Sequence, residues 1–266
     1  MYRFAFRGRY LVGQFVVLAL AVLFIRLGIW QLDRLHQERQ REATIRTRMA
    51  AAPAALSDVL GPGVDPSSVA FRRVLAQGRY DPSRQVLVRF RELNDTSGDD
   101  VATPLVLPDG RAVLVVRGWV AAGVASGTTQ APVVTPSGQV VVTGLVLPAE
   151  GSGGAGPTTR GGRIVETSRI SVALLQPQMP YRLLSGYVQL SSQVPAPGPG
   201  QPQALPPPDF TQAPPHLSYA VQWFLFTVVG LVGWPLLIRK AAQERQQEEE
   251  EARAALEPVS SSEPRL

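Results

Sequence analysis

Two long apolar runs bracket a central stretch in which apolar and polar positions alternate over short distances. Leu217 to Ile238 carries no formal charge. At about 1.5 Å per residue it makes about 33 Å of helix, enough for a bilayer core of about 30 Å. Arg239 and Lys240 end it, and Tyr219 and Trp234 stand near its two ends as interfacial aromatics do. The other run, Tyr10 to Ile29, predicts a first membrane helix whose one charge, Arg26, lies about one turn from Trp30 and snorkels outward. Ala19-Leu20-Ala21 offers a small-residue cleavage site, but Val22 to Ile25 continue the apolar run, so we expect an uncleaved anchor. No run between Trp30 and Leu217 is long enough to span. Two spans therefore flank one large domain, with both termini on the same side.

Between the spans the period changes. Residues 31–50 are charged and rich in helix formers, so the first helix should continue beyond the membrane as a solvated helix. Phe71–Tyr80, Gln85–Glu92, Val101–Leu107, Ala112–Val120, Gln139–Leu147 and Leu183–Val194 read as strands, separated by Asp, Pro, Gly and Ser. Asp109-Gly110 predicts a tight hairpin. Ser168–Gln176 is the one helix-like piece, and Gly151–Gly162 reads as a flexible loop. The fold class expected is a membrane protein with two transmembrane helices flanking a mainly antiparallel β domain, barrel- or sandwich-like. Nine prolines between Pro195 and Pro215 predict an extended, semi-rigid tether. The expected plan is an N-terminus at 1–9, a span at 10–29, juxtamembrane helix and loop at 30–69, and the β-rich domain at 70–194. A Pro-rich linker at 195–215, a second span at 216–238 and a charged tail at 239–266 complete it.

Charge sets the orientation. Of 266 residues, Lys240 is the only lysine, and the net charge is +5. The basic excess sits beside the apolar runs rather than in a nucleic-acid patch, so no nucleic-acid partner is expected. Long loops cross largely regardless of charge, so Arg3, Arg7, Arg9, Arg239, Lys240 and Arg245 on the tails place both termini in the cytoplasm. The main domain is then extracytoplasmic, in the cell membrane. The chain has no cysteine, which excludes disulfides, zinc-thiolate sites and iron–sulfur clusters.

Candidate chemistry is sparse. There are two histidines, His36 and His216, both at membrane junctions. At about 100° per residue His216, Trp223, Thr227, Gly230 and Trp234 form one stripe. Thr227 and Gly230 read as helix-packing positions. His216 is either a polar residue at the headgroup level or an imidazole poised to ligate a metal, haem iron included. Val113, Val115, Arg117 and Trp119 are expected on one strand face, as an edge-of-core set or with Arg117 across the Trp119 ring. Asp95, Asp99 and Asp100 lack the spacing of a calcium loop and read as a solvated turn. Asn94-Asp95-Thr96 matches a glycosylation acceptor, a pattern common by chance. Gly156–Arg163 lacks the Lys and Ser/Thr of a phosphate loop, and there is no G-x-S-x-G elbow. We expect no enzyme.

Four stretches carry a resemblance. Leu27-Gly28-Ile29-Trp30-Gln31-Leu32-Asp33-Arg34, Val115-Val116-Arg117-Gly118-Trp119-Val120, Tyr187-Val188-Gln189-Leu190 and His216-Leu217-Ser218-Tyr219-Ala220-Val221-Gln222-Trp223-Phe224 occur in that order. Together they resemble the Surfeit locus protein one family of cytochrome c oxidase assembly factors, from about Trp30 to Ile238. Departures are Glu38 where a basic residue is often found, and the lack of a Trp around Gly162–Ser168. The resemblance implies a two-span protein that promotes assembly of the haem a–containing subunit of the terminal oxidase. It implies haem a as a transient ligand with His216 as axial ligand, Tyr219 and Trp223 lining the site, and Trp30, Gln31 and Arg34 opposite, Arg34 pairing with a propionate. The partners it implies are the oxidase catalytic subunit and other oxidase assembly or haem a synthesis proteins, in the lipid bilayer. The alternative is a structural scaffold that clamps an oxidase subunit without touching haem.

Overall fold

A computed structural model describes residues 8–122, 133–151, 153–208 and 215–256. Arg3, Arg7, part of the Pro-rich segment and the end of the tail lie outside them. In chain order the elements are α1 (Gly8–Ala50), β1 (Ala54–Ala55), α2 (Leu56–Val59), β2 (Arg73–Tyr80), β3 (Val86–Leu93), β4 (Thr96–Val106) and β5 (Ala112–Ala121). Then follow β6 (Gln139–Pro148), β7 (Thr158–Arg160), β8 (Arg163–Thr167), α3 (Val172–Leu175), β9 (Leu183–Val194) and α4 (His216–Leu256). They fall into a helical unit, Met1–Gln40 with Thr211–Leu266, and a sheet unit, Arg41–Phe210.

In the helical unit, α1 and α4 are long and apolar enough to cross a membrane. Their contacts run antiparallel. A Cβ on Gly13 would run into the Trp234 ring, one on Gly230 would touch Val17, and one on Gly28 would come 2.7 Å from Phe224 Cζ. Phe24 packs on Trp223 and Phe226 at centroid distances of 5.5 and 6.0 Å. The pairing is thus one of rings over glycines, which lets aromatic side chains lie flat between two helices.

The sheet unit is one nine-stranded sheet in the order β1-β2-β6-β9-β5-β4-β3-β8-β7. Antiparallel pairs predominate, but β1–β2, β3–β8 and β5–β9 are parallel, so the sheet is mixed. Arg79↔Val106 and Tyr80↔Leu105 also bring β2 against β4, so the sheet curls back on itself there. Two paired residues define neither a full barrel nor a sandwich, and the finer architecture expected from sequence reduces to this curled mixed sheet.

Two cores line its faces. Val113 and Val115 of β5 join Val74, Tyr80, Val140, Val142 and Val188 in one, closed by Leu56, Val59 and Leu60 around α2. Ala112, Leu114 and Val116 join Val86, Val88, Ile170, Leu175 and Met179 in the other. A strand buried on both faces needs apolar side chains at successive positions, which is why β5 reads as a continuous valine-rich run.

Three expectations change. Asn94 and Asp95, at φ 51° and 59°, make the two-residue turn between β3 and β4, so β4 starts earlier than predicted and Asp99 and Asp100 fall inside a strand, buried, rather than in a solvated turn. The expected flexible loop contains β7, which pairs with β8. The Pro-rich segment is not a free tether over its first part. Gln203 exchanges both backbone hydrogen bonds with Trp119 at 2.8 Å, the Gln189 amide donates to the Pro206 carbonyl at 3.0 Å, and Leu205 packs on the second core. It docks because β9 pairs with β5 only as far as Val116, leaving the Trp119 backbone open to a new partner.

Candidate functional site

The helical unit brings a polar pair together between α1 and α4. His216, the first residue of α4, places Nδ1 2.9 Å from Gln31 Oε1. With the Gln31 oxygen as acceptor, Nδ1 is the donor of this pair and Nε2 is the ring nitrogen outside it. The pair forms because both residues lie on the inward faces of their helices, on the same antiparallel ladder as Phe24–Trp223 and Gly13–Trp234. His216 and Gln31 are half-buried.

The other predicted site residues are placed differently. Trp223 is on the inward face with His216, two turns further along, where it packs edge-on against Phe226 as well as on Phe24. Tyr219 is 49% exposed and Trp30 57% exposed. Arg34 lies 3.4 Å from Glu38, one turn on. His36, the second histidine, is exposed and bonds Gln40 at 2.7 Å. Thr227 is buried and donates to the Trp223 carbonyl at 3.1 Å, and Gly230 meets Val17, so the packing reading of both positions holds. The arrangement supplies one oriented imidazole acceptor, flanked by apolar and aromatic surface.

The sheet unit buries polar groups whose partners sequence reasoning missed. Arg117 is 3% exposed. Its guanidinium donates to Thr135 Oγ1 at 2.9 Å, the Val134 carbonyl at 2.6 Å, Gln85 Oε1 at 3.4 Å and Gln201 Oε1. It lies over Tyr80, 5.2 Å from the ring centroid, and not over Trp119. Val116 pairs with Ala102 but Gly118 with Val101, so Arg117 is the extra residue of a bulge and Trp119 turns to the opposite face. The expectation of one shared face fails at that bulge. Burial pushes the Arg117 pKa down and the Tyr80 phenol up. The signal in sequence was Gly118, whose φ of 148° and close approach to Gln203 leave no room for a side chain.

The second polar set brackets β3. Arg89 Nε is 3.2 Å from Asp99 and its Nη1 3.5 Å from Glu166, while Arg91 reaches Asp100 at 3.3 Å and Glu150 at 2.6 Å. Burial pushes the Asp100 carboxyl up to about 6, against the pull of Arg91, and raises Asp99 as well. Among the described residues no group of three or more His, Cys, Asp or Glu is arranged to hold a metal.

Two helices long and apolar enough to cross a membrane, sharing a polar pair, with a mixed-sheet domain carried between them in sequence, suggest the class of membrane-associated proteins. Comparison with known proteins makes this specific. The model of the SURF1 family matches residues 18–228. A SURF1-like protein of Mycobacterium bovis is 30% identical over 234 residues, covering 86% of this chain and 83% of that protein. A SURF1-like protein of Dictyostelium discoideum is 32% identical over 104 residues, 37% of this chain and 38% of its own. The cytochrome oxidase assembly protein SHY1 of Saccharomyces cerevisiae is 26% identical over 106 residues, 40% of this chain and 27% of its own. The chain belongs to the SURF1 family.

Proposed function

We propose that the protein is a membrane-bound assembly factor for the terminal haem-copper oxidase, and that it assists delivery of haem a to the catalytic subunit. Membership of the SURF1 family and the likeness to a yeast oxidase assembly protein support the assembly role. The His216–Gln31 contact carries the haem part. An imidazole that ligates a metal usually donates its other ring N–H to an oxygen acceptor, which fixes its tautomer and orientation. Gln31 is that acceptor here, and Nε2 is the donor atom offered. If haem a binds here, the His216 imidazole would hold it by offering a ring nitrogen to the iron. Trp30 and Tyr219 supply exposed aromatic surface beside the junction. Among the described ion pairs, half-exposed Arg34 meets only half-buried Glu38, a bond worth about 0–1 kcal/mol, so its guanidinium is cheaply released toward a propionate.

In this reading both termini are cytoplasmic, because basic residues flank the apolar runs on the tail side, and the sheet domain is extracytoplasmic in the cell membrane. The catalytic subunit and the haem a synthesis proteins are the partners. The test is haem a content of membranes from a strain lacking the protein, with wild type or His216→Ala returned. Wild type should restore the oxidase and His216→Ala should not, although both accumulate. An unimpaired oxidase in the deletion strain would refute the assembly role. Full restoration by His216→Ala would leave the scaffold that clamps an oxidase subunit without haem.

A further inference from the structure

We propose that the groove between α1 and α4 at the Arg239 end of the helical unit holds one phospholipid with an anionic headgroup, a site that rests on the reading of both helices as membrane spans. A cavity of about 410 Å³ opens there, within the range of roughly 300–1,000 Å³ usual for small-molecule sites. Val17 and Leu18 of α1 and Leu231, Trp234, Pro235 and Ile238 of α4 line it. Glycine makes the room. Gly13 lets the Trp234 ring come up against α1, and Gly230 sets no side chain against Val17. Trp234 Nε1 is buried without a hydrogen-bond partner, so the ring shows the groove only carbon. Gln14, the other polar member of the wall besides Arg239, is already engaged. The lining is thus hydrocarbon from Leu231 up to Arg239, which suits an acyl chain.

The mouth carries the charge that selects the headgroup. Arg239 is exposed and borders the cavity. Its neighbours are committed elsewhere. Lys240 meets Glu244 at 3.8 Å, and Arg245 lies over the Tyr10 ring. Among the described ion pairs no acid meets Arg239. On the α1 side the first acidic residue in the chain is Asp33. On the α4 side the acidic run begins at Glu248, about 14 Å of helix past Arg239 and beyond a Debye length of about 8 Å. A cation at the mouth of an apolar groove between two helices is the arrangement that holds anionic lipid headgroups.

Depth agrees with this occupant. Arg239 closes the uncharged run Leu217 to Ile238, where headgroups lie, and the cavity reaches inward from it to Leu231, about 12 Å of helix. A third helix suits the groove less well. The wall takes in only Gln14 to Leu18 on α1, about 6 Å of rise, whereas helices pack through longer rows of residues spaced by four.

Full-length protein, delipidated in detergent, is titrated with phosphatidylglycerol or phosphatidylcholine, and bound lipid is counted by native mass spectrometry. Wild type should retain one phosphatidylglycerol, with about tenfold preference over phosphatidylcholine. Arg239→Gln should bring the two lipids within about twofold of each other, and Lys240→Gln, whose ammonium is paired with Glu244, should keep the preference. Leu18→Trp, at a position 56% exposed, fills the groove and should weaken both lipids about tenfold. Equal binding of the two lipids by wild type, or a preference that survives Arg239→Gln, overturns the site. A wild-type dimer that Leu18→Trp dissociates, with lipid binding unchanged, gives the groove to a second copy and also overturns it. Release of the protein from native membranes by alkaline carbonate removes the membrane reading together with the site, whereas failure of the lipid titrations alone leaves that reading standing.

Discussion

The helical unit and the sheet unit solve the problem of polar groups in opposite ways. The helical unit pairs its inward polar groups sparingly. His216 meets Gln31 near one end of the ladder, between there and Gly13 the described contacts are mostly glycine, ring and aliphatic, and Arg245 lies over the Tyr10 ring beyond them. The sheet unit buries charge outright. Arg117 is held by neutral oxygens from four residues, and Asp99 and Asp100 lie in ion pairs that leave one oxygen of each without a hydrogen bond. A pair of helices facing lipid would have no water to satisfy stray polar atoms, so few would be admitted. A sheet with two cores has room for buried networks, provided each member is bonded. The contrast teaches that an unspent polar atom means different things in the two regions. Nε2 of His216 is a candidate donor to a ligand, and the bonded guanidinium of Arg117 is structural.

The largest effect should come from Arg117. Arg117→Ala opens a cavity and strips the donor from Gln85, Thr135, Gln201 and the Val134 carbonyl. The cost should be about 3–5 kcal/mol, a large part of a domain's margin, with Arg117→Lys intermediate because an ammonium cannot fork. Thermal unfolding measures it, and a tolerated alanine would erase the contrast drawn above.

The Asp100 network comes next. Its folded pKa, about 6, lies above the ordinary carboxylate value, so the native state holds the proton more tightly than the unfolded chain. Stability from this group is therefore greatest below about pH 4 and is lost as pH rises through about 6, by about 3 kcal/mol in all. Asp100→Asn should flatten that dependence, gaining on wild type from pH 4 to 7, because Arg91 keeps Glu150. Denaturant unfolding across that range checks the sign, and a gain confined to low pH would contradict it.

In the helical unit, Gly13→Ala should cost about 1–3 kcal/mol, since the new methyl collides with the Trp234 ring. Cysteines placed at Val17 and Gly230 report the effect as slower cross-linking. Arg34→Ala should be the mildest, within about 1 kcal/mol, because Arg34 itself is about half exposed and its pair with Glu38 is one turn apart on a solvated helix face. A larger loss would show a buried role that its position does not suggest.

What was legible followed from period. The apolar runs gave both helices, and the 100° spacing of His216, Trp223, Thr227, Gly230 and Trp234 picked out the face of α4 that packs. The six predicted strands overlap observed ones, because β2 and β6 alternate visibly and β5 shows a continuous apolar run. Gln31 and His216 were both singled out, but not their hydrogen bond, which depends on the register of two helices distant in sequence. Where a strand breaks period the reading failed. The bulge at Arg117 sent Trp119 to the other face, and reading Asp95, Asp99 and Asp100 as one solvated turn hid the fact that the turn ends at Asp95 and that Asp99 and Asp100 lie in a strand. Ion pairs such as Arg91–Glu150 join residues far apart in sequence and leave no local signal at all.

The central claim is that His216 offers its Nε2 to haem a. Absorbance of wild type, His216→Ala and His36→Ala, purified from a strain that synthesises haem a, tests it most directly. The account predicts a haem spectrum for wild type and for His36→Ala, whose imidazole is exposed and bonded to Gln40, and its loss or a ligand-exchange shift for His216→Ala. An unchanged spectrum in His216→Ala would contradict it.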